Sequence, residues 1–162
     1  MTVVSDASPL HYLVLIKAEH VLAELFSEVV VPPAVLRELS HKRAPERVRN
    51  WASTPPQWLH VVTPANVILD AKLGDGEAEA IGLALEMRAK TLLIDERDGT
   101  RIARGLGVAT AGTLGVLVLA SAKNLLSLEQ SFAAIQQTSF RVRPPLLAAL
   151  LAHDKHRRSR GS

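Results

Sequence analysis

The stretch TLLIDERD, residues 91–98, decides the fold class of this chain of 162 residues. Residues 92–94 form a short apolar block, which is entered from a helix-forming run and left through charged residues. A block of this length and composition is typical of a strand that is buried on both faces, as in a parallel sheet. We therefore expect a buried strand here, with Asp95 at its carboxyl end.

Two other short apolar blocks have the same form. Residues 3–5 are followed at once by Asp6, and residues 29–31 are stopped by a pair of prolines. Because proline is favoured at the first position of a helix, we expect the pair to open a helix that has Glu38 near its start. Two weaker strand candidates lie at 59–62 and 108–110.

Helix-forming segments separate these strands along the whole chain. Such alternation favours parallel strands joined by right-handed crossovers, so the predicted fold is α/β, with three α/β/α layers around a short parallel sheet. We expect one domain at 1–152 and a basic, flexible tail at 153–162. The four basic residues and one acidic residue of this tail account for the whole net charge of +3, so the body of the chain is neutral.

The composition excludes several kinds of site. With 48% apolar and 22% charged residues, the chain has the composition of a folded globular domain. It contains no cysteine, so any metal must be bound by oxygen or nitrogen, and a reducing cytoplasm is the expected location. Neither a signal-peptide pattern nor an apolar run of membrane-spanning length is present, and we expect no membrane association.

Four carboxylates are expected to meet at one edge of the sheet. Asp6 and Asp95 each end an apolar strand, and ligands of parallel α/β sheets bind beyond the carboxyl ends of the strands. Glu38 and Glu77 are expected in the first turns of helices that begin at the same edge. Because like charges repel, such a cluster needs a bound cation, and an all-oxygen site suits Mg²⁺ or Mn²⁺.

The same residues have plainer interpretations. A glutamate in the first turn of a helix stabilises the helix dipole without further function, and an aspartate after a strand is often a turn or cap residue. Residues placed to support the pocket from outside are Ser8, Glu79, Glu96 and Asp98. Nucleophile elbows, phosphate loops and dinucleotide fingerprints are absent from the sequence. A phosphohydrolase with Asp6 as its nucleophile is a weaker alternative, since Ser8 stands where that chemistry uses a second aspartate.

Four segments carry a family resemblance. They are VVSDASPL at 3–10, VVVPPAVLREL at 29–39, LGDGEAEAI at 73–81 and LLIDER at 92–97. Together they resemble the PIN-domain ribonucleases, and within them the bacterial and archaeal group of VapC-type toxins. The stretch GTLGVL at 112–117 also resembles a PIN-like subgroup that is often left uncharacterised.

The resemblance implies a metal-dependent endoribonuclease that hydrolyses RNA phosphodiester bonds, with catalytic and metal-binding positions at Asp6, Glu38, Glu77 and Asp95. Glu77 takes a place more often filled by aspartate, and Ala7 stands where threonine is common.

It further implies RNA as the substrate, a homodimer, and a small antitoxin protein that restrains a toxin. Arginines that follow Asp95 on the next helix are candidates for phosphate binding, namely Arg97, Arg101 and Arg104. The alternative from another class is a non-catalytic PIN-like module that binds RNA or protein.

Overall fold

Five short strands form one sheet within residues 2–161, the part of the chain that the computed structural model describes. In chain order they are β1 (Val3–Ser5), β2 (Val29–Val31), β3 (Leu59–Val61), β4 (Thr91–Leu93) and β5 (Thr110–Ala111). Every neighbouring pair is parallel, and the spatial order is β3-β2-β1-β4-β5. The predicted α/β class with a short parallel sheet is therefore confirmed.

The strand order reverses beside β1. The chain builds outward from β1 through β2 to β3, and then returns to the other side of β1 to add β4 and β5. In open α/β sheets the crevice at such a reversal, beyond the carboxyl ends of the strands, is the usual place for a ligand. Here that crevice lies between the ends of β1 and β4.

Helices connect the strands and cover the sheet. In chain order they are α1 (Ala7–Leu15), α2 (Val21–Phe26), α3 (Pro33–Leu39), α4 (Glu46–Ser53), α5 (Asp75–Glu86), α6 (Arg97–Gly105), α7 (Thr113–Ala122), α8 (Leu128–Ile135) and α9 (Pro144–Arg160). Successive residues of a strand point to opposite faces, and every residue of β1 and β2 is buried. Both faces of the central sheet are therefore covered, as three layers require.

The helix after β2 holds Glu38 in a different turn from the one expected. It begins at Pro33, as the proline pair predicts, but it ends at Leu39 after only seven residues. Glu38 follows Pro33 by five residues, which exceeds one turn of 3.6 residues. The expectation that Glu38 lies near the start of this helix is wrong, because the residue lies in the last turn.

The last part of the chain is helical up to Arg160, and Ser162, the last residue of the expected tail, lies outside the described residues. The expected flexible tail from residue 153 is instead the continuation of α9 to Arg160. Asp154, only 6% exposed, fixes this part of the helix, because it accepts hydrogen bonds from Ser121 on α7 and from Arg157 and Arg158 on α9 itself. The basic residues of this segment therefore belong partly to a packing contact. No helix within 2–161 combines the length and hydropathy needed to cross a membrane.

Candidate metal centre

Asp6 and Asp95 stand on either side of the crevice between β1 and β4. Asp6 directly follows β1 and is the N-cap residue of α1, with its backbone N–H donating to the carbonyl of Leu93 at 2.8 Å. Asp95 lies two residues beyond the end of β4. Both aspartates are thus placed by the ends of adjacent parallel strands. We call this region, with Glu38 and Glu77, the acidic crevice.

Asp6 is the most buried of the four carboxylates. Its residue is 5% exposed, and Oδ1 is a buried oxygen with no hydrogen-bond partner among residues 2–161. Burial raises the pKa of Asp6 to about 7, against the hydrogen bond from the Ala7 N–H, which lowers it. The negative charges of Glu77, Glu38 and Asp95 raise the pKa further. All three carboxylates therefore act electrostatically on Asp6.

Glu38 and Asp6 border the same small space beside Gly76. A Cβ atom built on Gly76 would lie 3.3 Å from Asp6 Oδ1 and 3.6 Å from Glu38 Oε1. Partial burial raises the pKa of Glu38 as well. The absence of a side chain at residue 76 thus leaves room between two carboxylate oxygens.

The two carboxylate oxygens of Glu77 have different surroundings. Oε1 accepts a hydrogen bond from the N–H of Gly74 at 3.2 Å, so it caps the start of α5 as the plainer interpretation proposed. Oε2 is buried and has no hydrogen-bond partner in the described chain, and it lies 3.4 Å from where a Cβ of Gly99 would be. Burial raises the pKa of Glu77, the Gly74 N–H lowers it, and the charges of Glu96, Glu38 and Asp98 raise it.

Asp95 is held by three hydrogen bonds. Ser8 donates to Oδ2 at 2.7 Å, and Thr113 donates its hydroxyl to Oδ2 at 2.6 Å and its backbone N–H to Oδ1 at 2.7 Å. The Ser8 hydroxyl therefore contacts Asp95, one of the four candidate carboxylates. Thr113 was missed by the sequence analysis, although its place at the first position of α7, two residues after the end of β5, is a signal that could have identified it.

Glu38, Glu77 and Asp95 lie near enough to Asp6 for their charges to act on it, but the four carboxylates do not converge on one point. Within residues 2–161, no three acidic or histidine side chains are near enough to one another to hold a metal ion as they stand. The donor chemistry nevertheless fits Mg²⁺ or Mn²⁺, because the side chains offer only oxygen and two of those oxygens are buried without a partner. A cation bound beside either orphaned oxygen would compensate its negative charge and offset the mutual repulsion.

The other acidic candidates have structural contacts. Glu79 accepts from the N–H of Ala34 at 3.2 Å and pairs with Arg37 at 3.6 Å, so it caps the start of α3. Asp98 pairs with Arg101 at 3.1 Å. Glu96 is the exposed N-cap residue of α6.

The predicted phosphate-binding arginines share a cavity of about 490 Å³ with Asp95. They are Arg97, Arg101 and Arg104. Arg104 also donates to the Thr110 hydroxyl at 2.8 Å. Positive charge therefore lies directly beside the acidic crevice.

Comparison with known proteins identifies the family of the chain. The sequence model of the family DUF3368, described as PIN domain, matches residues 2–156. No curated protein sequence matches the chain. Among solved structures, it is similar to a PilT N-terminus domain protein from the hyperthermophilic archaeon Sulfolobus solfataricus P2, with 15% identity, a TM-score of 0.48, and coverage of 88% of this chain and 100% of the other. Since the family match spans nearly the whole sequence, the chain belongs to the PIN-domain family.

Proposed function

We propose that this protein is a Mg²⁺- or Mn²⁺-dependent endoribonuclease whose metal site is the acidic crevice. The observation that carries the proposal is a pair of buried carboxylate oxygens without partners, Asp6 Oδ1 and Glu77 Oε2, at the point where the strand order reverses. PIN domains are generally nucleases, which supports the same activity. An orphaned buried carboxylate is costly unless a ligand compensates it.

Different side chains of the site would have different roles in the reaction. Asp6, Glu38 and Glu77 would hold the cation, with the space beside Gly76 available between the first two. Asp95 is already fixed by Ser8 and Thr113, so it offers a carboxylate of defined orientation at the edge of the site. When bound, a divalent cation activates a water molecule and stabilises the leaving oxygen of the phosphodiester. The arginines of α6 would offset the phosphate charge.

The test is cleavage of a mixed single-stranded RNA by purified protein with Mg²⁺, with Mn²⁺ and with EDTA. We expect metal-dependent cleavage that Asp6→Asn and Glu77→Gln each reduce at least 100-fold, on the order of one lost electrostatic contact to the transition state. Lys90→Ala, at the amino end of β4 and away from the crevice, is the matched control and should cleave normally. Cleavage that persists in EDTA would contradict the proposal.

One observation favours the non-catalytic alternative, a PIN-like module that binds RNA or protein. No three carboxylates of the described chain converge to coordination distance. Under this alternative the wild-type protein cleaves no RNA and binds no Mn²⁺ in a calorimetric titration.

The biological setting belongs to the proposal as well. We place the protein in the cytoplasm as the toxin of a toxin–antitoxin pair, acting as a homodimer, on the family resemblance of the sequence. A dimer is tested by light scattering of the purified protein. An antitoxin is tested by co-expression with the product of an adjacent small reading frame, which should suppress both growth inhibition and RNA cleavage.

A further inference from the structure

Three neighbouring cavities lie beside Glu38 and Asp95, two residues of the acidic crevice. Their volumes are about 160, 380 and 490 Å³. The first and second share Ser8 and Tyr12 as lining residues, and the second and third share Asp95 and Arg97. The three cavities are therefore neighbours in a row, which has Glu38 at one end and the arginines of α6 at the other.

The middle cavity has an aromatic wall. Tyr12 on α1 and Phe140, in the connection between α8 and α9, pack edge to face with ring centroids 4.9 Å apart and an angle of 79° between the rings. The Tyr12 hydroxyl is also 3.0 Å from the Ser139 hydroxyl, in a hydrogen bond that joins the same two segments. These contacts fix the connection beside Asp95, and both rings are only partly buried, so they remain accessible from the cavity.

The same cavity has a cationic wall. Arg97 and Arg141 line it, both are exposed, and neither makes a salt bridge or side-chain hydrogen bond with another residue of 2–161. This distinguishes them from Arg101, which pairs with Asp98. Two unengaged guanidinium groups therefore stand beside an aromatic pair, next to the carboxylate of Asp95.

We propose that the middle cavity is a nucleotide subsite, in which one base of a single-stranded RNA stacks on the Tyr12–Phe140 pair while Arg97 and Arg141 bind the adjacent phosphate. Aromatic rings beside basic groups are the combination that binds unpaired nucleotides, because every base has a π face and every linkage has a phosphate. The guanidinium group also matches phosphate oxygens in two-point hydrogen bonding. The inference rests on the proposed ribonuclease function, since it assigns the cavity to the substrate of that site.

The test measures binding alone. Fluorescence anisotropy is recorded in EDTA, where no cleavage is expected, with a labelled eight-nucleotide oligouridylate and with an abasic ribose-phosphate oligomer of equal length. Phe140→Leu should weaken oligouridylate binding about tenfold, the effect of one lost stacking contact, and should leave binding of the abasic oligomer unchanged. Arg141→Ala should weaken binding of both oligomers and lower the salt dependence by about one phosphate contact.

Two controls separate stacking from damage to the fold. Tyr12→Phe keeps the ring and removes only the hydroxyl, so it should bind oligouridylate more tightly than Tyr12→Leu does. Lys90→Ala removes an exposed charge at the amino end of β4, away from the carboxyl ends of the strands where the cavity lies, and should leave the affinities for both oligomers unchanged.

The outcomes distinguish the subsite from the proposed function. If Arg141→Ala binds both oligomers as tightly as Lys90→Ala does, or if Phe140→Leu loses affinity equally for the abasic oligomer, the subsite is wrong even when the wild type cleaves RNA. If the variants behave as expected but the wild type cleaves nothing with Mg²⁺ or Mn²⁺, the subsite stands and the ribonuclease proposal fails.

Discussion

Replacing Asp6 with asparagine should stabilise the metal-free protein at alkaline pH. The pKa of Asp6 is about 7 in the folded protein, against an ordinary value of 3.8, because the carboxyl is buried among other carboxylates. As pH rises through this window the unfolded chain releases its proton first, so the folded state becomes progressively less favourable. The free-energy cost of ionising Asp6 in the folded protein is absent below about pH 4 and reaches about 4 kcal/mol above pH 7, from roughly 1.4 kcal/mol per pKa unit.

Urea unfolding in EDTA, followed by circular dichroism at pH 5 and pH 8, measures this effect. Asparagine has no charge to bury, so the free energy of unfolding of Asp6→Asn relative to wild type should rise by about 2.5 kcal/mol between pH 5 and pH 8. Glu24→Gln, which removes an exposed carboxylate on α2, is the control for loss of one charge. If Asp6→Asn and wild type differ in free energy of unfolding by the same amount at both pH values, the raised pKa of Asp6 and its assigned causes are refuted.

Three further substitutions test other parts of the account. A Cβ on Gly112 would lie 2.8 Å from Asp95 Oδ1, so Gly112→Ala should displace this carboxylate and reduce the kcat of RNA cleavage at least tenfold. Gly115→Ala is the control, because a Cβ at residue 115 meets only the Ala111 side chain and should leave kcat unchanged. Thr113→Val leaves Asp95 without one charge-assisted hydrogen bond and should lower the free energy of unfolding by about 2 kcal/mol in urea, while Thr113→Ser should retain it. Burial of Asp154 raises its pKa, but hydrogen bonds from Arg157, Ser121 and Arg158 outweigh burial and lower the pKa below its ordinary value. The stabilising contribution of the ionised Asp154 carboxylate is therefore lost as pH falls. Asp154→Asn should therefore unfold at lower urea than wild type at pH 7 and approach it below pH 4, and an equal difference at both pH values would contradict this.

The sheet and its two aspartates could be predicted because local signals agree with the global fold. The apolar blocks at 3–5 and 92–94 are too short for helices, so the sequence predicts strands there, and the structure buries these residues on both faces of a parallel sheet. Once these strands are placed, the carboxyl ends of β1 and β4 bring Asp6 and Asp95 to the same crevice without further information.

Contacts between distant segments could not be predicted in the same way. The hydroxyl of Tyr12 meets Ser139, which is 127 positions later, and no local pattern marks either residue as a partner. By contrast, the turn that holds Glu38 could have been predicted, because its five-residue distance from Pro33 already exceeds one helical turn. Residues 153–160 carry a charge pattern typical of solvated tails, and only the buried contact of Asp154 with Ser121 explains their place in a docked helix.

The central claim, that the acidic crevice binds a catalytic divalent cation, is tested most directly by anomalous diffraction from crystals of the protein soaked in Mn²⁺. We expect an anomalous peak within about 2.5 Å of a carboxylate oxygen of Asp6 and of Glu77, which is the usual range for hard cations on oxygen. The same soak of Asp6→Asn crystals should give no peak. A wild-type crystal with saturating Mn²⁺ and no peak in the crevice would contradict the account.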